Sequence, residues 1–326
     1  MLSAAEKQAE AWYITREELL RRPQEYGLAV DPDNPAEIDD AVDVRANRDG
    51  SFRVAVHVAD AGLIDKDSEL SRTARQLGWS YYGEHGDPSE TIPMLPLSLS
   101  KHKLSLDINN HGLGAPAVTI RFSFDPHLRR INNPDIYKSR LVECDAISYG
   151  QLAMRHASGD KQARMVVGLA KLLNEDIDKP SDYSPSSFCK DAIGEYMLAA
   201  NRIIAEEMRK HSIPWLFRYH QTKMPISLRD LDVSNYPQAE RDLLDAIGRA
   251  HYSPSPQRHE GLNLMPYTHF TSPLRRFPDL VNHQTLHALM TGRTLPYSNE
   301  DLEGISSELA QKTISALGIY ALRAVA

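Results

Sequence analysis

Asp31, Glu37, Asp39 and Asp40 stand within ten residues of one another, in a segment that opens on Asp31-Pro32 and closes on Ala41. Carboxylates this crowded repel one another and are held together at low cost only when a cation neutralises them. The donors are hard oxygens, with neither Cys nor His among them, which points to Mg²⁺ or Mn²⁺ rather than zinc. Two such ions a few ångström apart are a usual device for cleaving phosphodiesters. An isolated acidic segment after an Asp-Pro turn is more often a solvated loop, so its meaning depends on what stands elsewhere. Far downstream, Thr271-Ser272-Pro273 precedes the adjacent pair Arg275-Arg276. Pro273 suits the first turn of a helix whose N–H groups favour an anion. An arginine fork can give a phosphate two hydrogen bonds. Alone, the pair would read as surface arginines on a capped helix; with the carboxylates it makes a kit for phosphoryl transfer.

These segments, taken in order, resemble the RNase II/RNase R (RNB) family of exoribonucleases. The family's Asp-Pro followed by Asp-Ile-Asp-Asp-Ala matches Asp31-Pro32 and Ile38 to Ala41, with Glu37 where aspartate is usual. His57-Val58-Ala59-Asp60, Ile92-Pro93-Met94-Leu95-Pro96 and Ser105-Leu106 follow. Glu195-Tyr196-Met197-Leu198-Ala199-Ala200-Asn201 and the stretch Tyr267 to Leu280 complete the series. The likeness runs from about residue 28 to 290. One short acidic motif would be weak; the ordered set is specific.

The resemblance implies roles for particular residues. Asp31, Glu37, Asp39 and Asp40 would be the catalytic carboxylates that hold Mg²⁺, with Mn²⁺ as an alternative, and Arg275 would contact the phosphate near the scissile bond. Glutamate at 37 is still a hard oxygen ligand, one methylene longer, so metal distance or preference is expected to change. Arg276 is the neighbouring cation, read as structural or backbone-contacting within the RNA-binding set. Tyr149 and Glu195 match positions that bind the ribose near the 3′ end, where a phenol and a carboxylate can read a 2′-hydroxyl. Tyr82 aligns best with an aromatic that clamps bases, Tyr81 being the alternative, and Arg218 beside His220 is read as lining an RNA channel. Each tyrosine could equally be a core residue with a satisfied hydroxyl.

Around these positions the elements are legible in outline. Residues 51–60 and 117–124 alternate apolar and polar side chains, as half-buried strands do. Helices are expected near 150–175, 188–211, 239–250, 273–291 and 300–324, and loops at 179–187 and 253–258. Strands early and helices late give an α+β fold, and the family's catalytic domain implies a mixed β-sheet flanked by helices. The organisation expected is an N-terminal extension over 1–27 and one RNB-like catalytic domain over 28–326. Neither flank has the length of a cold-shock or S1 OB-type barrel.

Composition limits the alternatives. The chain has 326 residues, 41% of them hydrophobic, and a formal net charge of −7, which argues against a broadly basic RNA-coating surface while allowing a local basic channel. Cys144 and Cys189 form no disulfide or zinc spacing, so a reducing, cytoplasmic setting is expected. No apolar run reaches membrane-spanning length. His283 and His287 have the spacing of a zinc helix, but Gln284 stands where a zinc protease needs glutamate. Two function classes follow: a divalent-metal-dependent hydrolase that trims single-stranded RNA from the 3′ end to nucleoside 5′-monophosphates, and a catalytically impaired protein of the same fold that binds RNA or a protein partner. An oligomer is compatible with both.

Overall fold

The computed structural model describes residues 2–82, 91–173, 184–222 and 248–323. They divide into two compact units, one of Met1–Ile203 with Phe270–Thr294 and a second of Ile204–His269 with Leu295–Ala326.

The first unit is built on five strands: β1 (Gln24–Asp31), β2 (Asp40–Ala46), β3 (Phe52–Ala59), β4 (Ala115–Asp125) and β5 (Arg130–Ser148). The mixed sheet expected from the sequence closes on itself as a barrel in the order β1-β2-β3-β4-β5. Neighbours run antiparallel except at the seam, where β1 and β5 pair in parallel from Gln24 opposite Arg140 to Asp31 opposite Ser148. Closure removes both sheet edges. It also needs β5 to be long, and at 19 residues β5 serves β4 and β1 in turn. Strand β3 is buried on both faces: Val54, Val56 and Val58 on one, and Ala55, His57 and Ala59 on the other. His57 is tolerated there because Thr119 Oγ1 lies 2.8 Å from its Nδ1, with Ser139 Oγ 2.6 Å further on. Burial lowers its pKa to about 4, which keeps it neutral.

Helices α1 (Ala4–Ala11), α2 (Arg16–Leu20) and α3 (Glu69–Leu77) precede and follow the first strands. The N-terminal residues are docked rather than loose. Lys103 Nζ donates to the carbonyls of Ala9, Glu10 and Trp12 at the end of α1, and the Gln8 side chain accepts from the Leu70 amide. Arg22 then enters the barrel base, where its guanidinium pairs with Asp60 at 2.8 Å, both side chains almost fully buried. A short helix, α4 (Leu97–Leu99), runs into a wide π-type turn over Ser100–Leu104.

The single helix expected at 150–175 is two, α5 (Tyr149–Ser158) and α6 (Lys161–Leu173). Gly159 separates them at φ +90°, a left-handed conformation that ends a helix and suits glycine. Helix α7 spans Pro185–Lys210, so the end of the expected 179–187 loop is already helical, while 179–183 lies outside the described residues. The helix expected at 239–250 falls mostly outside them as well, and Ala250 begins a strand.

Helix α8 is Phe277–Met290, four residues shorter at its start than the expected 273–291. Pro273 therefore does not open a helix. Residues 273–275 form a turn, Arg276 is extended and bridges to Trp79, and Pro278 takes the first-turn position. The buried Asp279 carboxylate explains the shift: its Oδ1 accepts from the Ser272 amide at 2.9 Å and from Arg276 at 2.7 Å, folding the chain back before the helix begins.

The second unit holds a two-stranded antiparallel sheet of β6 (Phe217–His220) and β7 (Ala250–Ser253). Trp215 is fully buried beside it and donates to Thr268 Oγ1 at 3.1 Å. Helix α9 (Asn299–Arg323) packs against β7.

Candidate active site at the ends of strands 1, 2 and 5

Three strand ends bring the acidic residues together. Asp31 is the last residue of β1 and Asp40 the first of β2, so the loop between them must carry Glu37 and Asp39 across the gap. That loop is fixed by Ser105-Leu106: Ser105 Oγ accepts from the Ile38 amide at 3.1 Å, and the Leu106 amide donates to the Ile38 carbonyl at 2.9 Å. Asn34 turns the chain at φ +53°, a conformation Asn tolerates. The parallel seam sets Ser148 opposite Asp31, so Tyr149, the next residue, begins α5 beside the carboxylates.

The four acids are not equivalent. Asp39 is buried and has both oxygens engaged: Oδ1 accepts from the Leu274 amide at 2.9 Å and Oδ2 from Arg275 Nε at 3.1 Å. Glu37 is buried and accepts a short hydrogen bond from the Tyr82 hydroxyl. Among the described residues, Asp31 and Asp40 have no side-chain hydrogen bond or ion pair, and each is only half-buried.

Burial raises Asp31 to about 6 against the pull of Arg275, with Glu37 adding repulsion. Asp39 rises to about 7, again through burial first and despite Arg275. Asp40 is pushed well above the usual carboxylate range by burial and then by the charges of Asp31 and Asp39. Glu37 is raised by burial, with Tyr82 pulling the other way. Tyr149 is raised by burial and by the neighbouring Asp31 and Asp40, which places its hydroxyl in their field.

Arg275 reaches this cluster from the turn before α8. Besides Asp39, it donates from Nη2 to Ser272 Oγ at 2.9 Å. Burial disfavours its charge, but Asp39, then Tyr82 and Asp40, more than restore it. Arg276 points its guanidinium to Asp279 instead. The structure thus gathers Asp31, Glu37, Asp39, Asp40, Tyr82, Tyr149 and Arg275 in one place. Glu195 lies half-buried on α7, next to Tyr196, whose hydroxyl donates to the Val166 carbonyl. Arg218 belongs to the second unit, with its guanidinium carbon 5.1 Å from the centre of the Tyr252 ring.

The site opens into a polar cleft of about 390 Å³ bordered by Asp31, Glu37, Lys101, Asp107, Ser148 and Gln151. Lys101 and the pair Ser272–Asp279 escaped sequence reasoning. A lysine in an unremarkable loop gives no signal, whereas Asp279 three residues after Arg276 is a spacing that could have suggested an ion pair.

The donor chemistry fits a hard divalent cation. Crowded, partly desolvated carboxylates whose charges raise one another's pKa are relieved by a bound cation. Asp31 and Asp40 are the free donors, and Glu37 retains one oxygen beyond the Tyr82 bond. Asp39 fits less well as a ligand, because both its oxygens serve the Arg275 turn. Among the described residues no group of three or more His, Cys, Asp or Glu side chains is arranged to hold a metal ion.

His283, the first of the zinc-spaced pair, is a packing residue. His283 Nε2 donates to the Phe270 carbonyl at 2.9 Å and its ring stacks on Phe270 at 3.9 Å. Gln284 donates to the Ile64 carbonyl and Ser71 Oγ, which accounts for a neutral residue in that buried place.

A closed barrel with a carboxylate–arginine site where β1, β2 and β5 end defines the class of fold, and comparison with known proteins places it. The chain belongs to the RNB domain family, whose model matches residues 26–184 and 171–292. Ribonuclease R of Aquifex aeolicus is 26% identical over 87% of this chain and 48% of its own length. Chloroplastic/mitochondrial ribonuclease II of Arabidopsis thaliana is 25% identical over 90% of this chain and 40% of its own. The chain thus spans about half the length of these relatives or less. Among solved structures, Mycoplasma genitalium RNase R in complex with double-stranded RNA matches at a TM-score of 0.81 and 21% identity, covering 98% of this chain and 68% of that one. Yeast Ssd1, a pseudonuclease, matches at 0.74 and 21%, covering 92% and 44%. These structural likenesses speak to the fold alone. Among the described residues no helix is long and apolar enough to cross a membrane.

Proposed function

We propose that the chain is a divalent-metal-dependent hydrolase of single-stranded RNA, working from the 3′ end and releasing nucleoside 5′-monophosphates. One observation carries this reading: an arginine held by Asp39 acts electrostatically on a free carboxylate pair, Asp31 and Asp40, beside a polar cleft that Asp31 and Glu37 border. The names of the relatives, ribonuclease R and ribonuclease II, support it.

In this mechanism Asp31 and Asp40 would hold the cation, with Glu37 as a third oxygen donor. A bound Mg²⁺ or Mn²⁺ would supply acidification of water and neutralisation of phosphate charge. Asp39 orients Arg275 so that the remaining N–H groups of the fork can meet the scissile phosphate, a preorganised contact that strengthens as charge develops in the transition state. Tyr149, beside Asp31 and Asp40, is proposed to meet the ribose next to that phosphate through its phenol. Glu195 is proposed to share the 2′-hydroxyl, and Arg218 and Arg276 to belong to the RNA-binding surface, although Arg276 acts first through Asp279 on the turn.

The competing reading, an inactive RNA- or partner-binding protein, is favoured by Glu37 in place of aspartate and by the pseudonuclease among the structural neighbours. The intact Asp31, Asp39, Asp40 and Arg275 weigh against it. Incubating 5′-labelled single-stranded RNA, the matching DNA and a hairpin with Mg²⁺, Mn²⁺ or chelator separates the two. A metal-dependent ladder growing from the 3′ end supports the enzyme; no cleavage in either metal supports the binder.

A further inference from the structure

Tyr82 aligns with a base-contacting aromatic, yet its hydroxyl is turned to Glu37. The ring alone would suffice for stacking; the hydroxyl has a different use. Resting on the functional reading above, we propose that Tyr82 is a positioning residue for Glu37, holding the longer glutamate so that its free oxygen is available to the cation that Asp31 and Asp40 would hold.

Three observations support this. Tyr82 is 42% exposed as a residue, yet its hydroxyl is part-buried and bonded to Glu37 rather than turned out to water. Glu37 itself is only 7% exposed, and a buried carboxylate of that length needs a donor to fix its rotamer. Lys101, on the same cleft wall, adds a favourable charge to that carboxylate without pairing with it, which among the described residues leaves Tyr82 as its side-chain hydrogen-bond donor. Partners that orient a metal ligand in this way are typically worth ten- to a hundredfold in metal affinity.

The chemistry is tied to glutamate. Shortening the side chain to aspartate withdraws the carboxylate by about 1.5 Å, roughly one C–C bond, and weakens or breaks the bond to Tyr82. The hydroxyl should therefore matter in this chain and cease to matter once residue 37 is shortened.

The test is a double-mutant cycle of Tyr82→Phe and Glu37→Asp, which isolates the coupling between the two side chains. Mn²⁺ affinity is read without RNA, from the electron paramagnetic resonance signal of free Mn²⁺. Affinity for a fluorescein-labelled oligoribonucleotide is read in chelator by anisotropy. Circular dichroism melts check that each variant is folded. Tyr82→Phe should weaken Mn²⁺ binding roughly tenfold, leave RNA affinity in chelator within about twofold, and add less than about twofold in the Glu37→Asp background. Unchanged Mn²⁺ affinity in Tyr82→Phe, or an equal loss with and without Glu37→Asp, overturns the inference. Failure of the unaltered protein to bind Mn²⁺ at all would instead remove the functional reading on which it stands.

Discussion

Arg275 shows how a single side chain is specified by more than its charge. Its Nε serves Asp39, its Nη2 serves Ser272, and the fork is thereby aimed before any substrate arrives. Lysine would keep the charge and lose the fork. Arg275→Lys should therefore cut single-turnover RNA cleavage by roughly 10²–10³-fold, the usual cost of one lost transition-state donor, while RNA affinity changes little. Equal losses in rate and affinity would make Arg275 a ground-state contact. The acidic positions, by contrast, were legible in type but not in rank. Their crowding marked an acidic cluster and the family resemblance proposed roles for all four, yet no sequence pattern could tell that Asp39 is consumed by Arg275 whereas Asp31 and Asp40 are left free, because that division depends on a turn over 200 residues away in the chain.

The same residues set a pH dependence whose sign can be worked out. Asp31 and Asp39 titrate near 6 and 7 in the folded chain against an ordinary value of 3.8, so between about pH 4 and 7 the folded state binds more protons than the unfolded state. By linkage, stability from this cluster falls as pH rises through that window. His57 and His283, lowered to about 4 by burial, act in the opposite sense, so the melting temperature of the metal-free protein mixes both. The increment produced by metal does not. Mn²⁺ held by Asp31 and Asp40 must displace the protons that their raised pKa values retain, so it should raise the melting temperature clearly at pH 8 and hardly at pH 5.5. An increment of the same size at both pH values would place the metal elsewhere.

At the scale of elements, the strands with clean alternation were readable: 51–60 became β3 and 117–124 became β4. Strand β5 was not, since Pro134 and a run of polar residues obscure its period, and its length follows from barrel closure rather than local preference. The start of α8 was misplaced for a similar reason: Pro273 is a local signal, and the buried Asp279 overrides it through tertiary hydrogen bonds. The turn at Ala61–Leu63 packs on α8 so closely that a Cβ on Gly62 would lie 2.4 Å from the His283 carbonyl oxygen. Gly62→Ala should cost about 1–3 kcal/mol, as overpacking does. Gly168→Ala, on a helix face with nothing within 4 Å, should instead stabilise by up to about 1 kcal/mol. Urea titration of the two variants checks both signs. Removing Asp60 would leave the buried Arg22 guanidinium with only the part-exposed Glu18 as an ion partner among the described residues, and Asp60→Ala should cost about 3 kcal/mol in the same assay, the low end for breaking a buried pair.

For the whole molecule, a net charge of −7 and a site made of carboxylates both disfavour a polyanion, so under the proposed function cleavage is expected to be coupled to a divalent cation. The most direct measurement is therefore the fate of 5′-labelled single-stranded RNA with the unaltered protein and with Asp40→Asn, each in Mg²⁺ and in chelator. The unaltered protein in Mg²⁺ should shorten the RNA stepwise from its 3′ end and release nucleoside 5′-monophosphates. Asp40→Asn should lose at least about 10²-fold in rate, comparable to losing one preorganised group, while still binding the RNA, and chelator should abolish cleavage in both. Full turnover in chelator, undiminished cleavage by Asp40→Asn, or release of nucleotides from the 5′ end first would contradict it.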